Sequence, residues 1–151
     1  KEDILISYGD IIYKKEVLNK LIKSKESFST IVDKDWFKYW KQRMPDPLSD
    51  AESLVLDKKD YILDIGQKVK SIKKIQGQYI GLTKISKDIT YNFMNVWEEM
   101  QKKNKDQKKL NNLYITDFFR ILIKKKFTLK AIFIKRKWLE FDTKEDLKIN
   151  F

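Results

Sequence analysis

Short β-branched apolar runs alternate with stretches of helical period in the first third of this chain. That alternation limits its fold more than any other feature. Asp3 to Ser7 contains Ile4-Leu5-Ile6, the near-continuous apolar pattern of a strand covered on both faces. Lys14 to Lys23 follows, with Val17, Leu18, Leu21 and Ile22 on one stripe, as in an amphipathic helix. Phe28 to Val32 is again apolar and β-branched. Strand, helix, strand is a βαβ unit, and its crossover implies a parallel pair. The expected class is α/β: a Rossmann-like mixed, mainly parallel sheet flanked by helices.

The rest of the chain extends this pattern. Asp33 to Arg43 reads as a short helix capped by Asp33 or Asp35. Pro45 and Pro47 make Met44 to Glu52 a loop. Ser53 to Leu56 and Tyr61 to Ile65 flank Asp57-Lys58-Lys59-Asp60 as a hairpin that Gly66 ends. A basic connector, Lys68 to Lys74, leads to a strand over Gln78 to Thr83, where Gly77 and Gly81 mark close backbone approach. Asp88 to Lys102 and Tyr114 to Lys126 have helical patterns, separated by a lysine-rich segment to Lys109 that reads as an exposed, mobile loop. Leu129 to Ile134 is a strand, Trp138 to Asp142 is extended, and a helix starts at Thr143. The 151 residues are expected to form part of one domain.

Composition excludes whole classes of chemistry. There is no cysteine and no histidine, so thiolate sites, imidazole bases and nearly all zinc sites are ruled out. A metal ion must use oxygen ligands, which favours Mg²⁺. The net charge is +11, but only Arg43, Arg120 and Arg136 are arginines among 33 basic residues. A nucleic-acid site pairs arginines with exposed aromatics. The lysine excess therefore reads as compositional bias, and no nucleic-acid partner is expected. No apolar run approaches 18 residues and no signal pattern is present, so the expected location is the cytoplasm.

Ligands in open α/β sheets bind beyond the carboxyl ends of strands. Asp10 stands there, behind Gly9. Glu140 and Asp142 close the Trp138 to Asp142 segment, two residues apart, so an extended backbone points both to one side. Convergence of Asp10 with Asp142 and Glu140 would hold Mg²⁺ against nucleotide phosphates. The cluster Trp36-Phe37-Lys38-Tyr39-Trp40 reads either as a packing helix or as a wall that stacks on or attracts a cation.

In order, the blocks Ile6-Ser7-Tyr8-Gly9-Asp10, Val32-Asp33-Lys34-Asp35-Trp36 with Tyr39 and Arg43, Asp50-Ala51-Glu52, Gly77-Gln78-Tyr79-Ile80-Gly81-Leu82, Tyr114-Ile115-Thr116-Asp117 and Trp138-Leu139-Glu140-Phe141-Asp142-Thr143 with Asp146-Leu147 resemble the C-terminal portion of nucleotidyltransferases with a nucleoside-diphospho-sugar transferase fold. Phosphocholine and 2-aminoethylphosphonate cytidylyltransferases are the nearest branch. The resemblance implies attack of a phosphorylated or phosphonylated acceptor on CTP or another nucleoside triphosphate, with pyrophosphate leaving. It implies catalytic roles for Asp10 and Asp142 and metal ligation by Asp10, Glu140 and Asp142. It places Trp36, Tyr39, Trp40, Trp138 and Tyr79 about the acceptor, with Asp33, Asp35, Asp50 or Glu52 pairing with a primary amine. The family's glycine-rich phosphate loop has no counterpart among only four glycines. The expectation is a piece of a longer enzyme, inactive alone, that either associates with itself or relies on an upstream nucleotide-binding part. A non-catalytic basic binding module and a truncated remnant are the alternatives.

Overall fold

A computed structural model describes residues 2–104 and 107–150. In chain order the elements are β1 (Ile4–Ser7), β2 (Ile11–Tyr13), α1 (Lys15–Ile22), β3 (Phe28–Asp33), α2 (Trp36–Arg43), β4 (Glu52–Leu56), β5 (Ile62–Lys68), β6 (Gln78–Ile85), α3 (Lys87–Lys103), α4 (Gln107–Asn111), α5 (Ile115–Lys124), β7 (Lys130–Ile134) and β8 (Trp138–Glu140). Short 3-10 turns occupy Pro47–Ser49, Ile72–Lys74 and Glu145–Lys148.

The main sheet has the order β1-β6-β3-β7. β6 is antiparallel to both β1 and β3, while β3 and β7 run parallel. β1 and β3 therefore point the same way, as a βαβ unit requires, but β6 lies between them. The sheet is mixed, with one parallel pairing where mainly parallel ones were expected. Strand pattern reports burial but not which strand lies alongside, and β6 arrives late in the sequence. β1 also differs from its expected setting. It is an edge of the sheet among the described residues, with Ile4 40% and Leu5 45% exposed.

Each face of the sheet carries its own core. On one side Val17 and Leu21 of α1 and Trp36, Tyr39 and Trp40 of α2 pack with Ile31, Ile80, Leu82 and Trp138. On the other, Phe93 and Val96 of α3, Phe119 and Leu122 of α5, and Leu54, Ile62 and Ile65 of the β4–β5 hairpin pack with Phe28, Val32 and Leu129. The result is a three-layer α/β/α arrangement. No helix among the described residues is long and apolar enough to cross a membrane.

Several boundaries depart from the sequence reading. β5 runs through Gly66 to Lys68, and Gly66 is bare because Thr116 of α5 packs against it. The expected loop at Lys102 to Lys109 is helix on both sides: Lys102 and Lys103 continue α3, Gln107 opens α4, and residues 105 and 106 lie outside the described residues. The expected helix at Thr143 is the short 3-10 turn Glu145–Lys148. β2 was not expected at all, since three residues are too few to show a period.

Gly81 holds the end of β1 in place. Its φ is +81°, and a Cβ there would lie 2.4 Å from Cγ of Tyr8. Tyr8 N–H donates to the Gly81 carbonyl at 2.9 Å, and the Tyr8 side chain packs against the bare Cα of Gly81. Replacing Gly81 by Ala adds both backbone strain and overlap, and is predicted to lower unfolding free energy by about 2 kcal/mol or more. Urea denaturation measures this directly; an unchanged midpoint would show that Tyr8 has another place to go.

Candidate active site at the β2–β8 ribbon

β2 and β8 form a separate antiparallel ribbon, pairing Ile11 with Glu140, Ile12 with Leu139 and Tyr13 with Trp138. One bond beyond the ladder, Phe141 N–H donates to the Asp10 carbonyl at 2.9 Å. Asp10 and Asp142 thus stand at the same end of one ribbon, although they come from opposite ends of the sequence. The Asp10 residue is exposed, as is the Asp142 side chain, at 50%.

Arg43, the last residue of α2, holds the other strand of this ribbon. Its side chain is buried, and Nε donates to Asp146 Oδ1 at 2.9 Å, Nη2 to Asp142 Oδ2 at 2.6 Å, and Nη1 to Glu140 Oε2. Asp146 is the structural member of this set. Beyond Arg43 it accepts from Asp142 N–H (3.0 Å), Thr143 N–H (2.9 Å) and Thr143 Oγ1 (3.1 Å), all at Oδ2. Burial works against its charge, but Arg43 and the two backbone N–H groups hold its pKa down at about 2. Glu140 goes the other way: burial, reinforced by Asp142 and Asp50 and opposed by Arg43, pushes it up to about 7.

A second anchor fixes the base of the ribbon. Asp33, fully buried at the end of β3, accepts from Asp35 N–H (2.9 Å) and Arg136 N–H (3.0 Å) at Oδ1, and from Trp138 Nε1 at Oδ2 (2.9 Å). Asp33 was expected as one of two helix caps. It does begin that turn, but its larger task is to join β3 to the turn before β8. Tyr39 completes the frame: its hydroxyl accepts from Glu140 N–H at 2.8 Å and donates to the Glu140 carbonyl at 3.4 Å.

The expected aromatic enclosure for the acceptor is instead a core. Trp36, Tyr39, Trp40 and Trp138 are all buried, and they meet edge to face or tilted, Tyr39 and Trp138 at 5.3 Å between ring centres. Their polar ends have interior partners, Asp50 Oδ2 for Trp40 Nε1 and Asp33 for Trp138. They leave no face for a ligand.

Tyr8 and Tyr79 are half-buried and Glu52 is exposed. Tyr8 and Tyr79 meet edge to face at 5.6 Å. Burial raises the pKa of both, that of Tyr8 to about 12, with Glu52, Asp10 and Glu140 pushing the same way. Glu52 is pinned by Gln78, whose amide accepts from the Glu52 N–H (3.3 Å) and donates to its carbonyl (2.7 Å). Burial of its carboxyl, then Asp50 and Asp117, lifts its pKa above the usual range.

Of the expected metal set, Asp10 and Asp142 share a ribbon end, while Arg43 engages the carboxylates of both Glu140 and Asp142. Among the described residues no group of three or more His, Cys, Asp or Glu side chains could hold a metal ion. Arg43 and Asp146 were visible in the sequence without a role. The usable signal was arginine itself: in a chain with thirty lysines, an arginine marks a site that needs a planar fork.

The chain is 37% identical over 150 residues to the CTP:phosphoglutamine cytidylyltransferase of Campylobacter jejuni subsp. jejuni serotype O:2, covering 99% of this chain and 59% of that protein. It thus spans under two thirds of that relative's length. Among solved structures it matches the inositol-1-phosphate CTP transferase from T. maritima with a TM-score of 0.65 at 12% identity, over 99% of this chain and 52% of that one. It also matches the nucleoside-diphosphate-sugar pyrophosphorylase from Vibrio cholerae RC9, with a TM-score of 0.56 at 10% identity, over 97% and 55%. No protein-family model matches the chain.

The two aspartates bound by Arg43 should behave differently. Asp146→Ala leaves the buried Arg43 Nε and two backbone N–H groups without their acceptor, and is predicted to cost about 3–5 kcal/mol of stability. Asp142→Ala removes an exposed partner and should cost no more than about 1 kcal/mol. Equal losses in urea denaturation would contradict this division between a buried framework carboxylate and an exposed one.

Proposed function

We propose that this chain, a sequence relative of a cytidylyltransferase built on the nucleotidyltransferase fold, supplies metal-binding and acceptor-binding residues for Mg²⁺-dependent cytidylyl transfer. The observation that carries the reading is the bond from Phe141 N–H to the Asp10 carbonyl, which brings Asp10 and Asp142 to one ribbon end. In the reaction an oxygen of the acceptor's phosphate or phosphonate attacks the α-phosphorus of CTP. The bond from that phosphorus to the bridging oxygen breaks, and pyrophosphate leaves.

Asp10 and Asp142 fit a hard cation, since Mg²⁺ commonly takes one or two carboxylates and completes its shell with phosphate oxygens and water. Arg43 engages both Glu140 and Asp142, and Glu140 is the poorer candidate ligand because its side chain is the more buried, 20% exposed against 50%. The chemistry such an ion supplies is neutralisation of phosphate charge. The chain's own residues position the reactants: Arg43 fixes the Asp142 carboxylate, and Tyr39 fixes the backbone before it. The use of CTP places this chemistry in the cytoplasm.

On the acceptor side, Asp33 and Asp50 are occupied by indole N–H groups. Glu52 is the carboxylate that combines exposure with a raised pKa, and its charge contributes to the raised pKa of Tyr8. It suits an ammonium group, which agrees with a relative named for phosphoglutamine. The acceptor class is therefore a phosphorylated amino-acid derivative or a similar amine.

Pyrophosphate release from CTP, assayed in the protein at its full natural length with phosphoglutamine as acceptor, tests the reading. Asp10→Asn and Asp142→Asn should each lower kcat by about a hundredfold or more with the fold retained; full activity in both would overturn the metal site. Glu52→Gln should raise KM for an amine-bearing acceptor roughly tenfold and leave kcat near its original value. An unchanged KM would remove Glu52 from the acceptor site.

A further inference from the structure

The parallel pair β3–β7 ends on a cavity that the proposed reaction does not use. Its volume is about 570 Å³, within the range of small-molecule sites. Lys34 follows β3, Lys135 follows β7, Lys20 comes from α1 and Lys137 from the turn before β8; all four line it. One carboxylate, Glu16, lines it as well, and it is already paired with Lys137 at 2.6 Å.

Two of the ammonium groups are held in place. Lys20 Nζ donates to the Phe133 carbonyl at 2.7 Å. Lys34 Nζ stands 4.0 Å from the centre of the Phe133 ring. Each keeps donors to spare, because an ammonium has three protons. Compositional bias explains how many lysines the chain has. It does not explain why four of them share one concavity with a single carboxylate, where like charges repel in the absence of a counter-ion. The cavity sits at the Lys137 end of the ribbon, where Lys14 N–H donates to the Lys137 carbonyl. Asp10 is at the other end, four residues of extended chain away, roughly 13 Å.

We infer that this cavity binds a small, multiply charged phosphate anion at a site separate from Asp10 and Asp142. The chemistry on offer is several ammonium donors, one of them over the Phe133 ring, at the carboxyl ends of parallel strands, where ligands of such folds are received. Point-charge donors of this kind bind phosphate oxygens without demanding one orientation. The inference does not depend on the proposed reaction.

Inorganic pyrophosphate is the probe, titrated at low salt into ¹⁵N-labelled protein with EDTA present, so that no metal can bring it to the aspartates. Saturable amide shifts are expected at Lys34, at 133–137 and at 16–20, weakening as salt is added. The Lys20→Ala/Lys34→Ala double variant should bind at least about tenfold more weakly, since it loses two charged contacts. Lys34→Gln alone, which leaves the Lys20 bond to the backbone intact, should show a smaller loss in the same direction. Asp10→Asn should bind as the original protein does. Absence of shifts at millimolar pyrophosphate, shifts spread over lysines across the whole surface, or equal affinity in the double variant would each overturn the site.

Discussion

The Arg43 guanidinium, buried among Glu140, Asp142 and Asp146, is the interaction on which the site depends. It ties the end of α2 to the last strand and to the turn after it, three pieces of chain that share no backbone ladder. A buried charge is tolerated only when its partners are complete, and here they are. Burial would lower the pKa of Arg43, yet the three carboxylates raise it above its ordinary value. Lysine could not do this, because one point charge cannot address three carboxylates in the directions that a planar fork can. The consequence reaches the surface: Asp142 is exposed yet fixed, at the same ribbon end as Asp10 of the opposite strand.

Asp33 does for the interior what Arg43 does for the rim. A fully buried carboxylate would be costly, but it accepts three N–H donors, one from the turn after β3 and two from the stretch leading into β8. Trp138 and Trp40 require the same kind of partner for their indole nitrogens, and Asp33 and Asp50 provide it. The aspartates that looked suited to a ligand amine are thereby largely used in holding aromatics inside. Glu52 differs because Gln78 fixes its backbone and leaves its carboxyl unclaimed.

Much of this was legible in the residues, and what was not has physical causes. α1 was expected over Lys14 to Lys23 and spans Lys15–Ile22, because its apolar stripe is long enough to show a period. The β4–β5 hairpin and the close approaches at Gly77 and Gly81 were equally clear. The insertion of β6 between β1 and β3 was not, since pairing partners leave no trace in a strand's own pattern. The aromatic run in α2 could be read two ways, and burial rather than sequence decides for the core. Asp10 and Asp142 were singled out because each closes an apolar segment; the three-residue ribbon outside the main sheet that brings them to one end was hidden by its brevity.

The central claim is that Asp10 and Asp142 form one divalent-cation site. Mn²⁺ in place of Mg²⁺ tests it most directly, because a paramagnetic ion broadens nearby amide resonances whether or not turnover occurs. Broadening centred on Gly9 to Ile11 and Phe141 to Thr143, and lost in Asp10→Asn, is the predicted result. Broadening centred elsewhere on the surface, or the same pattern in Asp10→Asn, would contradict the account.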